Sequence, residues 1–508
     1  MRTLNTTAAL VLLATIAGGP KVRTQHTDAT PIRVSAGGDL QQALTNARPG
    51  DVVELEPGAT FIGNFVLPLK PAGVDFIVVR TASAGRSVAE NGRVTPDQAQ
   101  HFARLRSVNS APALQTAPGA HHWRIESLDV SASGTGDAIT LGDGSPAQNS
   151  INLVPHDLVV DRSYIHGDPN TGIKRCIALN SASTTIQNSF IADCKAIGQD
   201  SQAICGWNGP GPFRIENNYL EGAAENILFG GADPSIDGLV PGDIVIRHNL
   251  ISKPVSWRKE RWAVKNLLEL KNARRVTIDE NTLEYNWQGA QSGFAVLFTV
   301  RNQDGRCPHC AVGQVSFVNN IVRHSAAGIE ILGVDNHAPT QQTRGITIRN
   351  NVFDDIDSQN WGGSGYAFLL VDGPSDIVID HNTIVQEHAS GIVQADGSPI
   401  LGFVFTNNLA RHNAYGFIGT AKGPDADTIS AFFPGSLIKA NAIADGDAAR
   451  FPRGNHFPSS AEFKRQFVAY DAGDYRLVPS SAWRHAGTDA QDLGAALDAH
   501  RATTPANR

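Results

Sequence analysis

Six residues on four short segments could do chemistry together: Glu225 and Asn226 in ENILF, Glu269 and Lys271 in NLLELK, Arg301 in FAVLFTVR, and Glu330 in GIEIL. A carboxylate-rich set with one lysine and one arginine suits β-elimination from a uronic-acid polymer. The C5 proton of a uronate lies α to a carboxylate and is barely acidic until a cation or strong donors neutralise that group. Oxygen ligands such as Glu225, Asn226 and Glu269 suit Ca²⁺ in that role. Lys271 is the candidate base, kept neutral by the like charges of Arg274, Arg301 and the metal. Arg301 would stabilise the developing charge or help to protonate the leaving oxygen. The rival chemistry is hydrolysis, for which Glu225, Asp233, Glu269 and Glu330 offer carboxylate pairs that would have to stand about 5–9.5 Å apart. A third reading is a carbohydrate-binding protein without catalysis. A salt-bridge ladder of Glu269, Lys271, Arg301 and Glu330 would gather the same charges with no chemistry at all.

Charge and aromatics favour an anionic partner. Between Lys253 and Arg275 stand eight basic residues against Glu260 and Glu269, a local +6 in a chain of net charge −7, which leaves −13 elsewhere. Trp257, Trp262 and Trp287 are interleaved or close by. A basic groove with flat rings suits an acidic polysaccharide, with Trp257, Trp262, Lys265, Arg274, Arg275, Trp287 and Glu330 as binding residues. The plain alternative is a solvated loop whose arginines pair with Glu216, Glu221 or Glu284. The negative net charge excludes a basic nucleic-acid coat, and no apolar stretch reaches the roughly 18 residues of a membrane span.

Internal repeats supply the elements that must position these residues. The length of 508 residues suggests about three domains, but one pattern recurs: alternating β-formers, two polar residues, Asn, then a second apolar run. It reads TTIQNSF, FRIENNYL, IVIRHNLI, VTIDENTL, VSFVNNIV, ITIRNNVF, IVIDHNTI and FVFTNNLA, with weaker copies at Leu158–Ile165 and Leu437–Ile443. The marker asparagines are Asn188, Asn218, Asn249, Asn281, Asn320, Asn351, Asn382, Asn408 and Asn441, at intervals of 30, 31, 32, 39, 31, 31, 26 and 33. Period-two alternation without a helical period makes the elements strands. An Asn at a fixed turn can take left-handed geometry and, stacked, becomes a ladder of amides. Three short strands in about thirty residues describe a parallel β-helix rather than a propeller or a leucine-rich repeat. On the strand after each turn, Leu268, Val296 and Ile329 then point inward and Glu269, Arg301 and Glu330 outward. The same alternation turns Asn226 outward, with Glu225 at the strand's start.

The fold class is therefore all-β: a single parallel β-helix with an N-terminal helical cap and a short C-terminal extension. Residues 1–26 read as a signal peptide, with Arg2 before an apolar run and then Gly18-Gly19-Pro20. Residues 31–110 form the cap and first coils, opening with a helix N-capped by Asp39. Residues 111–450 are the repeats. Residues 451–508 form the C-terminal cap and tail, helical at Ala461–Phe467 and disordered from Ala502. A secreted or periplasmic monomer is expected.

The NNxF-type turns, the opening GGDLQQALTNARPGDVVEL and the ending DYRLVPSSAWRHAGTDAQDLGA resemble right-handed parallel β-helix proteins of the pectate-lyase superfamily. That resemblance spans nearly the whole mature chain and implies the fold more than any one activity. Within it, Glu269-Leu-Lys271 followed by Thr299-Val-Arg301 is similar to the alginate lyase and chondroitinase B family. That family pairs a lysine base with an arginine on the next coil and holds calcium with Asn and Glu of the same sheet. The glutamate-rich segment before the lysine is thinner here, and the lysine–arginine gap is longer.

Of the five cysteines, Cys307-Pro-His-Cys310 reads as a local disulfide, since no thioredoxin-like βαβ pattern surrounds it. Cys176 and Cys205 read as small apolar core residues. His121, His122, His324 and His337 lack metal-ligand spacing, and Pro155-His156-Asp157 sits before a repeat strand without a motif around it.

Overall fold

The repeats close into three long parallel sheets. In this computed structural model, which describes residues 30–82 and 92–496, the sheets have 14, 12 and 13 strands, each paired in register with the strand one coil away. One coil illustrates the rest. Gly242–Arg247 belongs to the 14-stranded sheet, Leu250–Ser252 to the 13-stranded sheet and Asn266–Leu270 to the 12-stranded sheet. The signal-peptide reading of residues 1–26 and the tail from Ala502 lie outside the described residues. No described helix is long and apolar enough to cross a membrane.

Alternation drives the closure. Ile215, Ile246, Ile278, Phe317, Ile348, Ile379 and Phe405 stack inward from successive strands of one sheet and meet Ile227, Leu268, Val296, Ile329 and Phe368 from another. All are buried, and truncating one such side chain to Ala costs about 2–5 kcal/mol. A one-residue slip would turn the whole stripe to solvent, which pins the register.

The corner between the 14- and 13-stranded sheets carries the amide ladder. Asn218, Asn249, Asn281, Asn320, Asn351, Asn382, Asn408 and Asn441 are buried. Each backbone N–H and each side-chain amide donates to the Oδ1 of the next Asn, as in Asn320 N to Asn351 Oδ1 at 2.8 Å. The left-handed backbone belongs to the residue before each amide: Asn217, His248, Glu280, Asn319, Asn350, His381, Asn407 and Ala440 all have φ between 50° and 58°. Asn188 is one of these (φ 53°), and Ser189 takes its ladder place, its N–H donating to Asn218 Oδ1 at 2.9 Å. The marker in that coil is thus one residue later than expected.

A helix does form at Leu40–Asn46, with Asp39 accepting the Gln42 N–H at 2.9 Å and Leu40 and Leu44 buried in the main core. Near the other end, Ser460–Lys464 is helical with a reciprocal capping box between Ser459 and Glu462. The expected helix stops short there, because Phe467–Ala469 is a strand paired antiparallel with Asp474–Leu477. Cys176 corrects an expectation: it is disulfide-bonded to Cys194. Cys205 is the free, buried thiol, and Cys307–Cys310 is a disulfide.

Candidate functional site

The outer face of the 12-stranded sheet gathers most of the expected chemistry, through an irregularity repeated on successive coils. Gln202, Glu225 and Asn266 are cross-strand partners, in line with Asp137 and Arg175 on earlier coils. The residue after each of them turns into the core: Ala138, Cys176, Ala203 and Leu267 all join the main hydrophobic cluster. The next residue, Ile139, Ile177, Ile204, Ile227 or Leu268, points inward as well. Two consecutive inward residues break the period of two just after the polar row. Asn226 occupies the first of those inward places. Its Oδ1 accepts from the Lys253 ammonium at 2.9 Å and its Nδ2 donates to the carbonyls of Leu220 and Ser252. It is therefore removed from the ligand set, and Asn266, unnoticed in the sequence, faces the site in its stead.

The polar row is crowded and only partly satisfied. Gln202 Nε2 donates to Glu225 Oε2 at 2.8 Å, and Lys265 Nζ lies 3.9 Å from Glu225 Oε1 while bonding Asp200 at 2.5 Å. Asn266 Nδ2 donates to Glu269 Oε2 at 3.0 Å, and Thr299 Oγ1 to Glu269 Oε1 at 3.2 Å. Gln202 Oε1, Glu225 Oε1 and Asn266 Oδ1 are buried with no hydrogen-bond partner. Burial, with Glu269 and Asp200 nearby, pushes the Glu225 carboxyl well above its ordinary range. Burial and Glu269 push Glu330 up to about 7, against the pull of Arg301. Three neighbouring oxygens without donors, among carboxyls that resist ionising together, fit a hard cation with oxygen ligands. The donors would be Gln202, Glu225, Asn266 and Glu269.

Lys271 and Arg301 stand at the far end of these strands on adjacent coils, joined by the Arg301 N–H donating to the Lys271 carbonyl at 3.0 Å. Lys271 Nζ lies 3.4 Å from Glu269 Oε1. Arg301 is held by Asp335 Oδ1 at 2.5 Å and Asn336 Oδ1 at 2.9 Å. Glu330 faces the same sheet but is separated from Glu269 by the strand position of Leu297.

The expected basic groove divides among several faces. Lys253 is wholly buried, its ammonium donating to the carbonyls of Gly222, Ala223 and Ala224. Burial lowers its pKa to about 7. Arg274 and Arg275 lie on the strand Ala273–Asp279 of the 14-stranded sheet, and Arg275 makes a bidentate pair with Asp243 at 2.7 Å. Neither shares the face of Lys271, so neither acts on it as a like-charged neighbour there. Lys265 alone of the proposed basic binding residues meets the row. Asp233 leaves the carboxylate set, since its Oδ2 accepts backbone N–H groups of Asp304 and Arg306.

The tryptophans converge in a different way from that expected. Trp257 and Trp287 are buried, Trp262 is half-buried, and with Trp361 they wall a cavity of about 500 Å³. The Lys195 ammonium lies 5.3 and 4.9 Å from the ring centres of Trp257 and Trp262, and Arg258 lies 5.2 Å from that of Trp361. The cavity borders the polar row, because Val264 and Ala290 line it and Asn266 Nδ2 donates to Gln291 Oε1 at 3.2 Å. Trp361 escaped sequence reasoning because its coil lies some hundred residues away in the chain, and Arg258 figured only as one of the basic run.

No protein-family model matches this sequence, and no curated protein does. Solved structures do match its fold. A PL6 family alginate lyase, AlyGC, superposes with a TM-score of 0.54 at 13% identity, over 92% of this chain and 58% of that one. The catalytic unit of a thermostable GH87 α-1,3-glucanase from Streptomyces thermodiastaticus strain HF3-3 superposes with a TM-score of 0.50 at 14% identity, over 88% of this chain and 72% of that one. This chain thus spans little more than half the length of the lyase, and at such identities the likeness is one of parallel β-helix fold.

Proposed function

We propose that this chain is a polysaccharide lyase that cleaves an acidic, uronate-containing polymer by β-elimination on the outer face of the 12-stranded sheet. The observation that carries the reading is the juxtaposition of Lys271 and Arg301, bonded backbone to backbone, at the end of a row holding three buried oxygens without a hydrogen-bond donor. Lys271 Nζ takes the C5 proton, the C5–H pair becomes the second bond between C4 and C5, and the C4–O4 bond breaks, O4 leaving with its pair and taking up a proton from water. Arg301, fixed in place by Asp335 and Asn336, donates to the oxygen on which charge collects. Gln202, Glu225, Asn266 and Glu269 would hold Ca²⁺, which when bound neutralises the substrate carboxylate. Lys265 and the tryptophan-walled cavity extend the polymer-binding surface, the rings offering flat faces to sugar C–H groups. Such a substrate places the protein's action outside the cell or in the periplasm.

One observation favours a second reading, hydrolysis. Glu330, raised to about 7, stands two strands from Glu269, roughly 10 Å between backbones at about 4.8 Å per strand. Two carboxyls across such a gap, with Glu330 as the acid, suit an inverting hydrolase. Incubation with alginate, pectate, chondroitin and heparan, with Ca²⁺ or with chelator, separates the two. Rising ultraviolet absorbance from unsaturated uronate supports elimination, whereas new reducing ends without absorbance move the chemistry to Glu269 and Glu330. Absence of both signals on all of these polymers would overturn the lyase reading.

A further inference from the structure

The coil between Asn281 and Asn320 is the longest of the ladder, and its extra length includes a loop that sets Cys307 and Cys310 against Asp233. One Asp233 carboxylate oxygen and the two sulfurs lie within 4.8 Å of one another, and all three residues are buried. The carboxylate is half satisfied. Its Oδ2 accepts the N–H groups of Asp304 at 3.1 Å and Arg306 at 2.8 Å, while its Oδ1 is buried without a partner. A disulfide has no proton to offer that oxygen, so the oxidised cluster keeps an unpaired acceptor of the kind that native structures rarely tolerate. Two thiolates and a carboxylate on the same atoms would be a different site. Zn²⁺ takes thiolate sulfur at about 2.3 Å and carboxylate oxygen at about 2.0–2.2 Å, spacings that donors this close can reach with small side-chain movements. His309, between the two cysteines, also has a buried ring nitrogen, Nε2, without a partner. That ring is not among the donor atoms gathered at the site, so a water completes the four donors.

We propose that Cys307, Cys310 and Asp233 form a redox-gated site for a thiolate-preferring divalent cation such as Zn²⁺, closed while the disulfide stands and opened by a dithiol reductant. The reductant is oxidised to its own disulfide as the Cys307–Cys310 bond takes up two electrons and two protons. Metal binding releases those two protons and forms two sulfur–metal bonds. One chain of hydrogen bonds links the site to Arg301. Cys307 N–H donates to Asn302 Oδ1 at 2.7 Å, Asn302 N–H to Asp335 Oδ2 at 2.8 Å, and Asp335 holds Arg301. The proposal stands apart from the lyase reading and survives its failure.

The test titrates the full chain, reduced with a phosphine under inert gas, with Co²⁺ as a spectroscopic probe. The expected result is one Co²⁺ per chain with thiolate-to-cobalt charge-transfer absorption, displaced by Zn²⁺, and no such absorption in the unreduced protein. Asp233→Asn weakens Co²⁺ binding by at least the roughly 10–100-fold that loss of an outer-shell partner costs elsewhere. Cys307→Ser with Cys310→Ser abolishes the absorption, each variant being checked for its fold by circular dichroism. Reduced wild-type protein that shows no charge-transfer band overturns the proposal without any variant. So does a band that persists in the double variant, since it would arise from Cys176, Cys194 or Cys205, and so does unchanged affinity in Asp233→Asn.

Discussion

Two buried columns of polar side chains climb the same solenoid and are built in opposite ways. At one corner, eight asparagines hand hydrogen bonds from coil to coil, each amide donating onward and each Oδ1 from Asn249 to Asn441 receiving two N–H groups of its neighbour. On the 12-stranded sheet, Gln202, Glu225 and Asn266 stack at equal spacing yet leave three oxygens without a hydrogen-bond donor, with a carboxyl driven upward by burial and by its charged neighbours. A buried polar network is stabilising only when every member is satisfied. The ladder therefore reads as architecture, and the row as a place where the fold tolerates dissatisfaction for the sake of what binds there.

The contrast breaks most severely at Lys271. Lys271→Ala is expected to lower the rate of unsaturated-uronate formation by about 10²–10⁴-fold, the usual contribution of a general base. Its melting temperature should stay near that of the wild type, since the side chain is half-buried and its nearest charged partner is Glu269. Activity retained in Lys271→Ala would remove the lysine from the chemistry.

Stability sharpens the comparison next. In Asn351→Ala, Asn320 loses the acceptor of its N–H and of its amide, and the Phe317 carbonyl loses a donor. At about 1–3 kcal/mol per orphaned group, the loss should reach about 2–5 kcal/mol. Glu225→Gln removes a charge from a crowded row and, measured by denaturant unfolding in chelator, should change stability by less than about 1 kcal/mol. Equal losses in the two variants would make the row as structural as the ladder.

How far the sequence reveals these columns depends on how local their causes are. The ladder is legible because its asparagines recur beside alternating strands, and only the NS dipeptide at Asn188–Ser189 misleads by one place, its left-handed residue being the Asn. Glu269, Arg301 and Glu330 are legible from strict alternation around Leu268, Val296 and Ile329. Asn226 and Cys176 are not, for a shared reason. Both follow a residue in line with the polar row, where two consecutive side chains turn inward, and their partners Lys253 and Cys194 come from other segments. The basic run Lys253–Arg275 misleads similarly. It is contiguous in sequence, but the coil carries it through the core, the 12-stranded sheet and the 14-stranded sheet in turn. The tryptophan cavity needs Trp361 from a later coil, which no local pattern announces.

Calcium offers a smaller but direct test of the row. Binding to the native state alone adds about 2.7 kcal/mol at a free concentration 100 times Kd. Thermal unfolding with and without Ca²⁺ should show that gain in the wild type and its loss in Glu225→Gln, while Asn351→Ala, though less stable overall, should keep the same increment. Stabilisation of Glu225→Gln to the wild-type extent would place the ion elsewhere.

The smallest expected effect is on pH. Glu330 has its carboxyl raised from 4.5 to about 7 by burial and by Glu269, so the folded chain holds a proton that the unfolded chain releases. The stability linked to that proton is complete below about pH 4.5 and is lost as pH rises through about 7. Glu330→Gln, neutral throughout, should flatten that part of the melting-temperature profile by about 1–2 °C, with the ladder variants keeping the wild-type slope. The same variant bears on the chemistry. A hydrolase that uses Glu330 as its acid would lose both its activity and the upper limb of its pH–rate profile. A lyase working through Lys271 would keep its upper limb and change chiefly in substrate affinity.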